Sequence, residues 1–64
     1  MSFGAKLKKM REAKGLSQTE LAKASGLKQQ SIARWELDEN DPPWTAVQKL
    51  AAALGVDCRA FVEK

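Results

Sequence analysis

Histidine is absent from this chain of 64 residues, and cysteine occurs once, at Cys58. A lone thiol cannot close an internal disulfide, and without imidazoles it offers no recognisable zinc site. The fold must rest on packing, helix caps and turns, in a chain near the lower size limit for an unaided core. No run of about 18 apolar residues occurs, which excludes a transmembrane helix, and no signal-peptide pattern opens the chain. A single thiol suits a reducing compartment, so a soluble, cytoplasmic protein with no membrane association is expected. A glycine-rich phosphate loop is also missing, as are paired carboxylates in a recognisable cleft motif. With no imidazole base either, no catalytic constellation is visible, and the chain reads as a non-enzyme without metal or cofactor.

Period-two alternation is equally absent and β-branched residues are few, so the chain reads as all-α. Phe3, Leu7 and Met10 recur at spacings of three and four, predicting a helix over about 2–14 that Ser2 caps and Gly15 ends. "LSQTEL" opens a second helix, about 18–25. Ser17 and Glu20 have the spacing of a capping box, and Leu16 and Leu21 that of a hydrophobic staple. After Gly26 and Leu27 a third helix runs over about 28–37. "LDENDPP" then breaks the chain, because Pro42 and Pro43 fit a first turn and not a helix interior. Trp44, Val47, Leu50, Ala51 and Leu54 form an apolar stripe on a fourth helix, about 43–54, ending at Gly55. A fifth, about 58–63, is expected after Asp57, whose carboxylate can cap it, with Val56 and Phe61 at staple spacing. No linker, repeat or low-complexity tract divides the chain. Residues 1–64 are read as a single domain, a compact bundle of five short helices.

The net charge is +3, unevenly distributed. Residues 1–28 carry seven cations against two acids, a net of +5, and residues 29–64 carry four against six, a net of −2. A basic half of this kind attracts a polyanion, although solvated lysines on an exposed helix face give the same pattern.

The segment "QTELAKASGLKQQSIARWEL", residues 18–37, has what two short helices crossing steeply require. Ala22 is small where the backbones approach, Gly26 tolerates the turn, and Leu21, Leu27, Ile32 and Trp35 supply the inner faces. With "LKKMREAKGLSQTELAKASGL" leading in, "IARWE" in the third helix and "PPWTAVQKLAAALGVD" as the fourth, the chain resembles the DNA-binding domain of phage repressor and Cro proteins. This is the XRE-like helix-turn-helix family, and the resemblance covers roughly residues 3–62. It implies a lambda-repressor-like fold and double-stranded DNA as the partner.

With Ile32 at zero and about 100° per residue, Trp35 and Glu36 lie inward, while Gln30 and Arg34 point outward at about 160° and about 200°. Ser31 and Ala33 flank them, and Lys28 and Gln29 occupy the leading end. A glutamine amide matches N7 and N6 of adenine, and an arginine fork matches O6 and N7 of guanine. The resemblance gives Gln29, Gln30 and Arg34 the base-reading positions. It implies that Gln18 bonds a phosphate and braces the leading base reader, with Thr19 beside it at a helix N-terminus that favours anions. Lys28, Ser31, Ala33 and Asn40 complete the expected flank. Arg11 and Glu36 correspond to a structural pair joining the first and third helices.

Two features depart from the family pattern. Relatives commonly carry a glycine and basic residues after the third helix, where this chain has Asp38, Glu39 and Asp41. These acids are expected to face or flank phosphate, while Asp38 can adopt the left-handed turn. Lys28 also replaces the usual Ser or Thr cap of the third helix. The leading function is a sequence-specific transcriptional regulator acting as a homodimer on a palindromic site, with helix five, Phe61 and Val62 as dimer candidates and a core role also open to Phe61. The alternative is a protein-interaction module of the same fold, a coactivator-like adaptor or an antitoxin component, to which the acidic loop and Trp44 lend support.

Overall fold

The computed structural model describes residues 2–61. Four α-helices follow one another, α1 (Phe3–Ala13), α2 (Gln18–Ser25), α3 (Gln29–Glu36) and α4 (Trp44–Leu54). α1 and α2 begin at side-chain caps encoded beside them, and α2 and α4 end at left-handed glycines. The Ser2 hydroxyl accepts the Ala5 N–H at 3.2 Å and starts α1. Both bonds of the capping box start α2: Ser17 Oγ accepts from Glu20 N at 3.0 Å, and Glu20 Oε1 accepts from Ser17 N at 2.8 Å. Gly26 ends α2 with φ at 73°, a left-handed conformation that a side chain would strain. That turn sends α3 off almost at once, its first residue following Lys28.

The inner stripes meet in one cluster. Leu7 comes from α1, Leu21 and Ala22 from α2, Ile32 and Trp35 from α3, and α4 lays Val47, Leu50 and Leu54 across them. Leu7, Leu21, Ile32, Leu50 and Leu54 are completely enclosed, each such burial contributing about 1.5–3 kcal/mol. Leu16 and Leu27 pack against the cluster from the two ends of α2. α2 is therefore seated on α4 and α3 on α1, and the two pack against each other as a pair.

α1 crosses the end of α3 closely, and Gly4 makes this possible. A Cβ at that position would lie 2.5 Å from the Trp35 carbonyl oxygen and 2.6 Å from that of Glu36. The close approach brings Asp38 to the start of α1.

The expected fifth α-helix is instead a single 3-10 turn, Cys58–Phe61. Its closing bond runs from Ala60 N to Asp57 O at 2.8 Å, an i to i+3 closure too tight for an α-helix. Asp57 does cap it, accepting from Arg59 N at 2.9 Å, and its carboxylate also holds the Arg59 guanidinium at 3.0 Å. Phe61 is buried, its ring 5.2 Å from that of Phe3. It serves the core that joins this turn to α1. Val62 and the remainder of the expected helix lie outside the described residues. Among the described residues no helix is long and apolar enough to cross a membrane.

Candidate functional site

The amphipathic division of α3 sets the site. Ile32 and Trp35 are buried at 0% and 7% exposure, while Gln30 and Arg34 stand exposed on the opposite side. Gln29, Ser31 and Ala33 are half-buried along its edges. Ser31 and Ala33 are small, which leaves the helix backbone approachable between the longer side chains. Lys28 occupies the N-cap position and makes no side-chain capping bond, so the leading N–H groups of α3 gain no help from it. This matches the departure visible in the sequence.

A continuous polar chain links this face to the interior. Arg11 donates to Glu36 twice, from Nε to Oε2 at 2.7 Å and from Nη2 to Oε1 at 3.2 Å. Arg11 Nη1 also donates to the Leu16 carbonyl at 2.7 Å, tying the entry of α2 to the same guanidinium. Both ionic side chains are nearly enclosed, at 11% and 4% exposure. The hydrogen bond to Glu36 raises the Arg11 pKa above its ordinary value, with burial opposing it. Gln18 Nε2 donates to Glu36 Oε1 at 3.0 Å, and Gln18 Oε1 accepts from Gln29 Nε2 at 2.7 Å. The Arg11–Glu36 pair expected from the resemblance is thus one end of a longer chain, with Gln29 at the other.

Gln18 therefore spends its amide on two protein partners. The capping box consumes the N–H groups of Ser17 and Glu20, leaving those of Gln18 and Thr19 as the first-turn donors of α2. They sit beside Gln29, so the start of α2 and the start of α3 converge at one end of the helix pair. Thr19 is exposed there, as is Lys28.

The first acid of the turn has a structural role beyond its sequence reading. Asp38 adopts φ 58°, the left-handed turn expected of it. Its carboxylate is committed to α1: Oδ1 accepts from Gly4 N at 3.0 Å and Oδ2 from Ser2 Oγ at 2.8 Å. A negative group at the start of α1 satisfies an N–H that has no intrahelical partner and complements the helix dipole. Glu39, Asn40 and Asp41 remain exposed in the turn. Neither Asp38 nor Gly4 stood out in the sequence as interacting positions, since 34 residues separate them. A glycine inside a helical pattern was the only local signal, and it marks a close approach.

Comparison with known proteins agrees with this architecture. A family model described as Helix-turn-helix matches residues 7–61. The "SPbeta prophage-derived uncharacterized HTH-type transcriptional regulator YonR" of Bacillus subtilis (strain 168) is 37% identical over 54 residues, 84% of this chain and 50% of that protein. The chain thus spans about half the length of that curated relative. Among solved structures, the restriction-modification controller protein C.AhdI from Aeromonas hydrophila superposes with a TM-score of 0.90 at 37% identity, covering 92% of this chain and 89% of that one.

Proposed function

The chain belongs to the Helix-turn-helix family, and on that premise we propose that it is a sequence-specific double-stranded DNA-binding transcriptional regulator whose α3 reads the major groove. The observation that carries this reading is the outer face of α3, where exposed Gln30 and Arg34 stand beside a Gln29 held by Gln18. Gln29 and Gln30 are suited to adenine and Arg34 to guanine, while Ser31 and Ala33 let the backbone come close and Ala33 can meet a thymine methyl. Thr19, Lys28, Asn40 and the first-turn N–H groups of α2 contact phosphate. Gln18 contributes through its backbone and its second amide hydrogen.

A single reading helix covers few base pairs, so a homodimer on a palindrome doubles the contacts, with half-sites about 34 Å apart. The relatives' descriptions as a transcriptional regulator and a controller protein support the regulatory role. A cytoplasmic location follows from that role.

One observation favours a second reading, a protein-interaction module. Leu37 and Trp44, 69% and 50% exposed, bracket the acidic turn along the chain and each present an apolar side chain to solvent. Titration of generic duplex DNA over a salt series separates the two. Binding that weakens steeply as salt rises is expected, because neutralised phosphates release counterions. No binding at low salt, or binding indifferent to salt, would favour the second reading.

A further inference from the structure

We infer that Glu36 is a positioning residue that acts through Gln18 to fix which way the Gln29 amide points. The inference deepens the DNA-binding reading and rests on it for its consequence at a base. An amide side chain has a donor end and an acceptor end of almost equal size, and shape alone does not decide between them. Here the decision comes from the far end of the chain. Arg11 has only donors, and ionised Glu36 has only acceptors. Gln18 must then turn Nε2 toward Glu36 Oε1, at 3.0 Å, since the reverse would set a carbonyl oxygen against a carboxylate. That leaves Gln18 Oε1 facing α3, and Gln29 must answer it with Nε2, at 2.7 Å. Each step forces the next.

The consequence lies on the exposed side of Gln29. One of its amide hydrogens is occupied, and its Oε1 and second hydrogen remain in a fixed order. That edge offers a donor and an acceptor together, the complement of adenine N7 and N6, and it mismatches guanine, which presents two acceptors. Glu36 is itself 4% exposed at the side chain and faces the interior, so its effect on a base is entirely indirect.

Glu36→Gln keeps the size of the side chain and removes the obligate acceptor. Its amide can accept from Arg11 and donate to Gln18, which allows the whole chain to reverse. Binding sites are selected from random duplex for the full chain as wild type, Glu36→Gln, Gln29→Ala and the double variant, below each variant's melting temperature. The position that Gln29→Ala flattens identifies the base Gln29 reads. Glu36→Gln should flatten that same position, by about 5- to 150-fold, the discrimination of one bidentate contact. Positions set by Arg34 should be retained, and the double variant should add nothing. Gln18→Leu cuts the chain without touching the ion pair and should do the same, which covers a Glu36→Gln protein that fails to fold. Preference unchanged at that position, with stability or overall affinity lowered, would overturn the inference while leaving the DNA reading intact. If the wild type selects no sequence, the DNA reading fails and the positioning claim is decided without DNA. The Gln29 Nε2 hydrogen bonded to Gln18 should then resonate downfield by NMR in the wild type and lose that shift in both variants; an unchanged resonance would overturn it.

Discussion

Asp38 Oδ1 accepts the backbone N–H of Gly4 at 3.0 Å, so the residue that turns the chain out of α3 also caps the start of α1. Asp38→Ala removes this bond and the one to Ser2, and places a β-carbon residue with no compensating side-chain bond at positive φ. A loss of about 1–2 kcal/mol is expected, read from the urea midpoint. A variant as stable as the wild type would show that the cap contributes nothing.

Gly4→Ala probes the same crossing from the other side. The new methyl meets the backbone carbonyl oxygens of Trp35 and Glu36 first, with Asp38 Oδ1 at 2.9 Å beside them, so α1 must shift away from α3. The expected cost is about 1–3 kcal/mol, against the small gain in helix propensity that an exposed Gly→Ala change would bring. Increased stability on thermal melting would contradict the close approach.

Arg11→Met should destabilise more than either. It leaves the Glu36 carboxylate enclosed without its cation and the Leu16 carbonyl without its donor. Removing one member of a buried pair costs about 3–5 kcal/mol, a large share of the stability of so small a domain. Replacing both Arg11 and Glu36 by apolar residues should recover much of this loss, which a double-mutant cycle by chemical denaturation measures.

The capping box gives a pH dependence of known sign. The bond from Ser17 N lowers the Glu20 pKa below its ordinary value. A depressed folded-state pKa means that this contribution is present above the ordinary carboxylate range and lost as pH falls through the folded value. Glu20→Gln keeps an acceptor but cannot titrate. Its stability should therefore fall less than that of the wild type between about pH 6 and about pH 3, compared by urea midpoints. Parallel profiles would remove Glu20 from the acid response.

The parts of this molecule legible in the sequence are those whose causes are local. The capping box at Ser17 and Glu20, the left-handed Gly26, the inward Ile32 and Trp35 and the outward Gln30 and Arg34 all follow from spacing over a few residues. The fifth helix was not legible, because the same staple spacing and Asp cap also suit one 3-10 turn. The second role of Asp38 was hidden for a different reason. Its charge was plain, but the N–H it satisfies lies on another helix 34 positions away, and only the packing of α1 on α3 brings them together. The polarity of the Gln18–Gln29 bond is likewise invisible until Glu36 is placed beside it.

Ile32→Ala and Arg34→Ala should fail in different ways. Ile32 is fully enclosed, and its truncation should cost about 2–5 kcal/mol of stability and weaken DNA binding only through unfolding. Arg34 is exposed, and its truncation should leave the melting temperature nearly unchanged.

Selection of binding sites from random duplex, run side by side on the wild type and Arg34→Ala, tests the role of α3 most directly. The expected result is an enriched half-site for the wild type, repeated about one duplex turn away, and loss of preference at one base position for the variant, worth about 1–3 kcal/mol. No enrichment by a folded wild type, or an identical preference in the folded variant, would contradict the assignment of Arg34 and the outer face of α3 to base reading.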